Sequence, residues 1–116
     1  MGLIIQQKAL QAAGGLRQVL SVVRKRDRSL FDQIHRAMNS VVLNIAEADG
    51  NDAGTARARF ASACGSAKEV RAGLQLAVAY GYVPPRRSKR WTSRSMRCAR
   101  CPGGSQVVRA FDPSTK

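Results

Sequence analysis

The stretch FASACGSAKEVRAGLQLAVAYGYVPP, residues 60–85, decides the fold of this chain. Small and apolar residues recur in it every three or four positions, which is the spacing of one helix face. They are Phe60, Ala63, Cys64, Ala67, Val70, Leu74, Ala77 and Val78. Gly81 ends the pattern, and Pro84-Pro85 prevents continuation because proline lacks the backbone N–H and disfavours helical backbone before it. With Thr55 as an N-cap, the pattern predicts a helix from there to about Gly81.

Two more helices are predicted upstream. The first runs from about Leu3 to Lys25, and Gly14-Gly15 interrupts it, marking either a bend or the close approach of another backbone. The second begins at Ser29, where Asp32 three residues on resembles a capping box, and it stops at Gly50. The two apolar stripes are Ala9, Ala12, Ala13, Leu16, Val19, Leu20 and Val23, then Phe31, Ile34, Met38, Val41 and Ile45.

These patterns predict an all-α fold. Three helices with short connections favour an antiparallel up-and-down bundle, and no alternating strand pattern competes with it. The bundle takes residues 1–83, and residues 84–116 form a basic tail rich in Pro, Gly and Ser.

The charge is strongly positive. The chain has 20 Lys and Arg against 7 Asp and Glu, a net charge of +13, and the tail alone holds 9 basic residues and 1 acidic residue. This balance favours polyanionic partners such as RNA, DNA or anionic lipid, although a basic protein without such a partner is the alternative. No segment is long and apolar enough for a membrane span or a signal peptide. An odd number of cysteines, 3, argues against a secreted disulfide framework, so we expect a reducing, cytoplasmic setting.

No catalytic constellation is evident, so the sequence predicts neither an enzyme nor a cofactor. Cys98-Ala99-Arg100-Cys101 has metal-site spacing, but a structural zinc site needs four ligands, and the chain adds only Cys64 and His35. We therefore expect no metal. His35 has no nucleophile with an orienting carboxylate, so a helix-flanking role is favoured over that of a base.

Two acidic residues, Glu47 and Glu69, lie near the predicted core faces. We expect both to make hydrogen bonds or ion pairs with Arg36, Lys68 or Arg71 within the bundle or at a subunit contact. A metal-binding or acid–base pair is the sharper alternative, but the Glu-x-x-His repeats of di-metal bundles are absent from the sequence.

Basic residues give the strongest functional signal. Arg and Lys neutralise phosphates and Trp can stack on a base, although a solvated, disordered tail explains the same composition. The candidate nucleic-acid contacts are Arg86, Arg87, Lys89, Arg90 and Trp91 in the tail and Arg36, Arg57, Arg59 and Arg71 in the bundle. Arg24-Lys25-Arg26 is interpreted first as a helix C-terminus that favours cations, with nucleic-acid contact as the alternative.

A set of short motifs resembles a known family. They are Asn44-Ile45-Ala46-Glu47, Phe60, Gly65-Ser66, Glu69 and Gly81-Tyr82, together with the run from Phe31 to Ala37. Their order and spacing resemble the four-helix bundle proteins called 23S rRNA intervening-sequence proteins, over about residues 31–83. The pattern departs at Ala48-Asp49, where the family has a glycine and an aromatic residue.

The resemblance implies an antiparallel four-helix bundle, often assembled as a homopentamer, with an uncharacterised activity. A related protein, the accessory variability determinant of diversity-generating retroelements, is a basic ring that holds a reverse transcriptase and nucleic acid. We therefore expect a non-enzymatic homo-oligomer that engages RNA, DNA or a nucleoprotein enzyme. A protein–protein assembly module without nucleic-acid contact is the alternative.

The family also implies a fourth amphipathic helix after Gly81-Tyr82, where this chain has the basic tail. Residues 84–104, back-translated with GC-rich codons and shifted by two bases, admit an acidic amphipathic helix. The hypothesis is that a frameshift replaced the fourth helix.

Overall fold

The computed structural model describes residues 2–85, and all its elements are helices. They are α1 (Gly2–Gly15), α2 (Arg17–Arg26), α3 (Arg28–Ala48) and α4 (Ala53–Ala79). Within residues 2–85 there is no strand. The all-α prediction is confirmed, and the breaks fall where the sequence indicated them, at Asp27 and in the turn before α4.

The first predicted helix is divided in two at Leu16. This residue keeps right-handed backbone angles (φ −82°, ψ −9°), and its N–H donates to the carbonyls of Ala12 and Ala13 at 3.2 and 3.3 Å. A Cβ on Gly14 would meet nothing within 4 Å. The glycine pair therefore marks an interruption of the helix and not the close approach of another backbone.

The predicted start of α3 at Ser29 is wrong. Asp27 is the N-cap: its backbone is extended (φ −150°, ψ 93°), and its Oδ1 accepts a hydrogen bond from the N–H of Leu30 at 3.0 Å. Ser29 already lies in the first helical turn, where its hydroxyl is too far along the helix to cap the first N–H groups. Asp32 instead pairs with Arg28, at 3.5 Å from its Nε.

The predicted N-cap of α4, Thr55, is also corrected. Asp52 caps this helix: its Oδ1 accepts from the N–H of Thr55 at 2.9 Å, and its Oδ2 accepts from the Thr55 hydroxyl at 2.8 Å. These hydrogen bonds lower the pKa of the Asp52 carboxyl below its usual value. A carboxylate is the stronger cap because its charge also interacts favourably with the helix dipole.

The core lies between α3 and the other helices. α3 packs against α1 and α2 and, most extensively, against α4. The predicted stripes supply 16 of the 21 buried hydrophobic side chains that the structure describes, and the five that they miss are Ile5, Leu30, Ala37, Ala48 and Val83. The largest fully enclosed side chains are Leu16, Ile34, Ile45 and Leu74. At Gly73, α4 approaches α3 so closely that a Cβ added to this glycine would overlap Cγ1 of Ile34. No helix in the described part of the chain is long and apolar enough to cross a membrane.

Candidate functional site

A polar seam joins α3 to α4 at half-buried positions. The side-chain amide of Asn44 donates to the backbone carbonyl of Ser40 at 2.8 Å and to its Oγ at 3.0 Å. The hydroxyl of Ser66 donates to the same Ser40 Oγ at 2.8 Å. Asn44 and Ser66, two of the motif residues, therefore meet through Ser40. The seam satisfies polar groups that would otherwise be costly to bury between the helices.

A cleft of about 330 Å³ opens beside this seam. Arg36 and Glu69 are both exposed residues, and they give the cleft one positive and one negative group. The lining residues are Gln33, Arg36, Ala37, Ser40, Ser66 and Glu69. Such a lining can receive polar side chains or a small zwitterion, with the seam hydroxyls as further hydrogen-bonding groups.

Glu47 links α3 to α4 near the turn that joins these two helices. Its Oε2 lies 3.1 Å from Nη1 of Arg59, and both side chains are about half exposed. The expected partners were Arg36, Lys68 or Arg71, and Arg59 takes their place. The side-chain amide of Asn51 also donates to the Glu47 carbonyl. Glu47 thus ties the end of α3 to the start of α4, with the modest energy of an exposed ion pair.

Gly81 ends α4 in a Schellman motif. Its φ is +79°, a left-handed conformation in which a Cβ would be strained. The N–H of Gly81 donates to the carbonyl of Val78 and that of Tyr82 to the carbonyl of Ala77, both at 2.9 Å. Val83 then turns back into the core and is buried.

Tyr82 fastens this end of α4 to the α2–α3 turn. Its hydroxyl donates to Oδ2 of Asp27 at 3.1 Å, so that one carboxylate both caps α3 and holds the end of α4. Burial raises the pKa of the Tyr82 phenol, and the hydrogen bond and charge of Asp27 raise it further. The Gly81-Tyr82 motif therefore ends α4 and attaches that end to the α2–α3 turn.

The four candidate arginines of the bundle do not share one face. Arg36, Arg57 and Arg59 are exposed and Arg71 is half-buried. Arg57 and Arg59 are two positions apart and therefore about 200° apart around α4. Arg59 faces α3 through its pair with Glu47, whereas Arg36 lines the cleft.

The other motif residues are more easily placed. Phe60 is half-buried and packs against the core, whereas Gly65 is exposed and has open space where a Cβ would be. The tail candidates and the Cys98–Cys101 pair lie outside the described residues.

His35 lies on the surface of α3. Its ring stacks on Phe31 with centroids 5.3 Å apart, and the Arg24 guanidinium lies 5.7 Å from the centroid of the same Phe31 ring. Residues 2–85 contain no group of three or more His, Cys, Asp or Glu side chains that could hold a metal ion. Cys64, the other residue considered for zinc, is buried on the core face of α4.

Sequence reasoning missed three residues that organise these contacts. Asp27 precedes Leu30 by the three positions of an N-cap, but Ser29 competes for the same role in the sequence. Ser40 precedes Asn44 by one helical turn, which was a detectable signal. Gly73 is an interior helix glycine, and such a residue often marks a close approach.

Comparison with known proteins agrees with this architecture. The sequence model of the 23S rRNA-intervening sequence proteins matches residues 1–101, which extends beyond the motif region at both ends. No significant match was found among curated proteins or among solved structures. Since the matched range covers most of the 116 residues, the chain belongs to the 23S rRNA-intervening sequence protein family.

Proposed function

We propose that this chain is a non-catalytic bundle subunit that self-associates and engages nucleic acid, or a nucleoprotein partner, through basic surfaces. The polar motif residues support a structural role for the bundle, because they join its helices. Asn44 and Ser66 join α3 to α4, Glu47 pairs with Arg59, and Tyr82 binds Asp27. Each of these groups is engaged in holding one helix to another.

The observation that carries the proposal is the distribution of charge in the bundle. Four of its six acidic residues have intramolecular partners: Asp27 and Asp52 cap helices, Asp32 pairs with Arg28, and Glu47 pairs with Arg59. Nine of its 11 basic residues are exposed, against five of its six acidic residues, and Arg28 and Arg59 are the partners in two of these pairs. The exposed surface of the bundle still carries four more basic than acidic residues. The positive field therefore extends into solvent, where it attracts phosphates.

Self-association is supported by the outer face of α4. Leu76 is 42% and Tyr80 58% exposed, one turn apart near the end of α4, whereas the turns before them carry Lys68 and Glu69 on the same side. Large apolar side chains that are exposed next to one another are typically covered by a partner. We propose a homo-oligomer, for which the family implies five subunits.

Binding of nucleic acid at increasing salt tests the proposal. Fluorescence anisotropy of a labelled single-stranded RNA and a labelled DNA duplex, each with the full chain, gives the affinity at each salt concentration. We expect weak sequence preference and a steep loss of affinity with salt, because phosphate contacts release counterions. If neither the RNA nor the DNA binds at low salt, the chain does not engage nucleic acid and the proposal is wrong.

A protein–protein assembly module without nucleic-acid contact is the second candidate. The cleft beside the seam favours it, because Arg36 and Glu69 offer both signs of charge and therefore suit a protein surface better than a polyphosphate. An oligomer that binds neither the RNA nor the DNA at low salt would support this second function.

A further inference from the structure

The positive charge of the bundle is concentrated at one end. The run Arg24-Lys25-Arg26-Asp27-Arg28 spans the junction of α2 and α3, and its four cations are all exposed. The opposite end, where α3 meets α4, carries Glu47, Asp49 and Asp52. The nearest cations there are Arg57 and Arg59, and Arg59 is paired with Glu47, so this end has no excess of positive charge. Since α3 has 21 residues, the two ends are about 30 Å apart.

The acidic residue within the basic run does not neutralise it toward solvent. Asp27 is half-buried, and its two carboxylate oxygens accept hydrogen bonds from the Leu30 N–H and the Tyr82 hydroxyl. Its charge is thus held on the inner side of the junction. The cations around it project outward.

Two of these cations make contacts within the bundle, and the exposed Asp32 carboxylate partly offsets the charge of Arg28. The Arg24 guanidinium lies over the Phe31 ring, and Arg28 pairs with Asp32 at 3.5 Å. Contacts of this kind reduce the side-chain entropy that is lost when a partner binds.

Helix stability alone does not account for this set. Arg24, Lys25 and Arg26 lie in the last turn of α2, where cations favour the dipole. Arg28, however, is the first residue of α3, where the dipole disfavours a cation. Arg28 is therefore placed where the helix dipole alone does not favour a cation, and its partner there is Asp32.

The end of α4 lies at the same junction. Tyr82 is bonded to Asp27, so the described chain finishes beside the basic run. The sequence that continues from Pro85 begins with Arg86, Arg87, Lys89 and Arg90.

We infer that this end, with Arg24, Lys25, Arg26 and Arg28, is the surface that binds the phosphate backbone of a nucleic acid. The inference rests on the proposed function and specifies where binding occurs. The run Arg24-Lys25-Arg26 also stabilises the end of α2, and the inference gives it a second role in nucleic-acid contact. The contacts go to phosphates, so the surface binds without reading sequence.

A pair of matched double variants of the full chain tests the inference. Lys25→Gln with Arg26→Gln removes two exposed cations from the basic end. Arg17→Gln with Lys68→Gln removes the same charge from exposed positions elsewhere on the bundle. Anisotropy with a labelled single-stranded RNA gives the affinity and its salt dependence for both, and circular dichroism melting checks that each variant folds.

We expect the first variant to lose about tenfold or more in affinity and about 1.4 in the slope of log K against log salt, or roughly 0.7 for each contact. The control should keep most of its affinity and its slope. Equal losses in the two variants, or none in the first, would overturn the inference while leaving the proposed function intact. Failure of the unaltered chain to bind would instead overturn the proposed function.

A second readout needs no substitution. Lysine acetylation of the unaltered chain, followed by mass spectrometry, compares modification at Lys25 with that at Lys68 as RNA is added. Lys25 should be protected and Lys68 should not. Protection of Lys68 alone would place the RNA on another face.

Discussion

Asp27 shows how much of this fold depends on single side chains. It separates α2 from α3, caps α3 through Leu30, and receives the hydroxyl of Tyr82 from the end of α4. Its two oxygens therefore bind α3 and the end of α4, and its backbone N–H donates to the Val23 carbonyl of α2. Gly73 has a comparable role of a different kind, because the absence of a side chain lets α4 approach Ile34 of α3.

Removal of the Asp27 carboxylate should destabilise the bundle more than removal of the Tyr82 hydroxyl. Asp27→Ala loses a cap and a hydrogen bond, about 2 kcal/mol together, whereas Tyr82→Phe loses one hydrogen bond, about 1 kcal/mol. Urea denaturation measures both. Ser29→Ala is the control, since Ser29 is not the cap, and its effect should be close to zero. A larger loss in Ser29→Ala than in Asp27→Ala would contradict the observed cap.

Two glycine substitutions on α4 should act in opposite directions. Gly73→Ala forces a Cβ against Ile34 and should cost about 1–3 kcal/mol of unfolding free energy. Gly65→Ala adds its Cβ to open space and should gain up to about 1 kcal/mol of helix propensity. Thermal or urea unfolding of the two variants gives the comparison. Equal effects would contradict the close α3–α4 approach.

At the scale of the elements, apolar periodicity predicted every helical segment, because burial of one face governs a small bundle, but it did not predict the division of the first helix at Leu16. Their starts were less predictable: Asp27 and Ser29, like Asp52 and Thr55, are all good capping residues, and backbone angles decide between them. The partners across helices were not predictable, since the choice of Arg59 for Glu47 depends on how α3 and α4 pack together. The seam required Ser40, which belongs to no motif that the sequence analysis used.

The cap of α4 should contribute to acid sensitivity. Hydrogen bonds from Thr55 lower the pKa of Asp52 in the folded state, so the stabilisation is present above its unfolded value, 3.8, and is lost as pH falls below it. Asp52→Asn keeps a capping side chain without the titrating charge. Its melting temperature should fall less than that of the unaltered chain on acidification through this range. An acid profile in Asp52→Asn identical to that of the unaltered chain would exclude this role.

At the scale of the whole molecule, charge and apolar surface are arranged along different directions. The basic and acidic ends lie at opposite ends of α3, whereas the exposed apolar side chains of α4 lie on its flank. Tyr80 packs against Tyr82, which binds Asp27, so in the proposed assembly the α4 interface would border the basic end. A ring of such subunits would present several basic ends together, which strengthens binding to a long polyanion.

A charge on the α4 flank should dissociate the assembly without unfolding the bundle. Leu76→Asp places a carboxylate in the proposed interface, where its desolvation is costly. Asn39→Asp adds the same charge to an exposed position of α3 and serves as the control. Light scattering should show a smaller particle for Leu76→Asp alone, with the helical circular dichroism signal retained in both. An unchanged mass in Leu76→Asp would place the interface elsewhere.

Sedimentation velocity of the full chain, alone and with a single-stranded RNA, tests the central claim most directly. At about 50 µM the chain should sediment as an oligomer without RNA. RNA should co-sediment with that oligomer at about 50 mM salt and be released by about 500 mM. A monodisperse monomer, or an oligomer that leaves the RNA unbound at the lower salt, would contradict the account of this protein as a self-associating, nucleic-acid-engaging bundle.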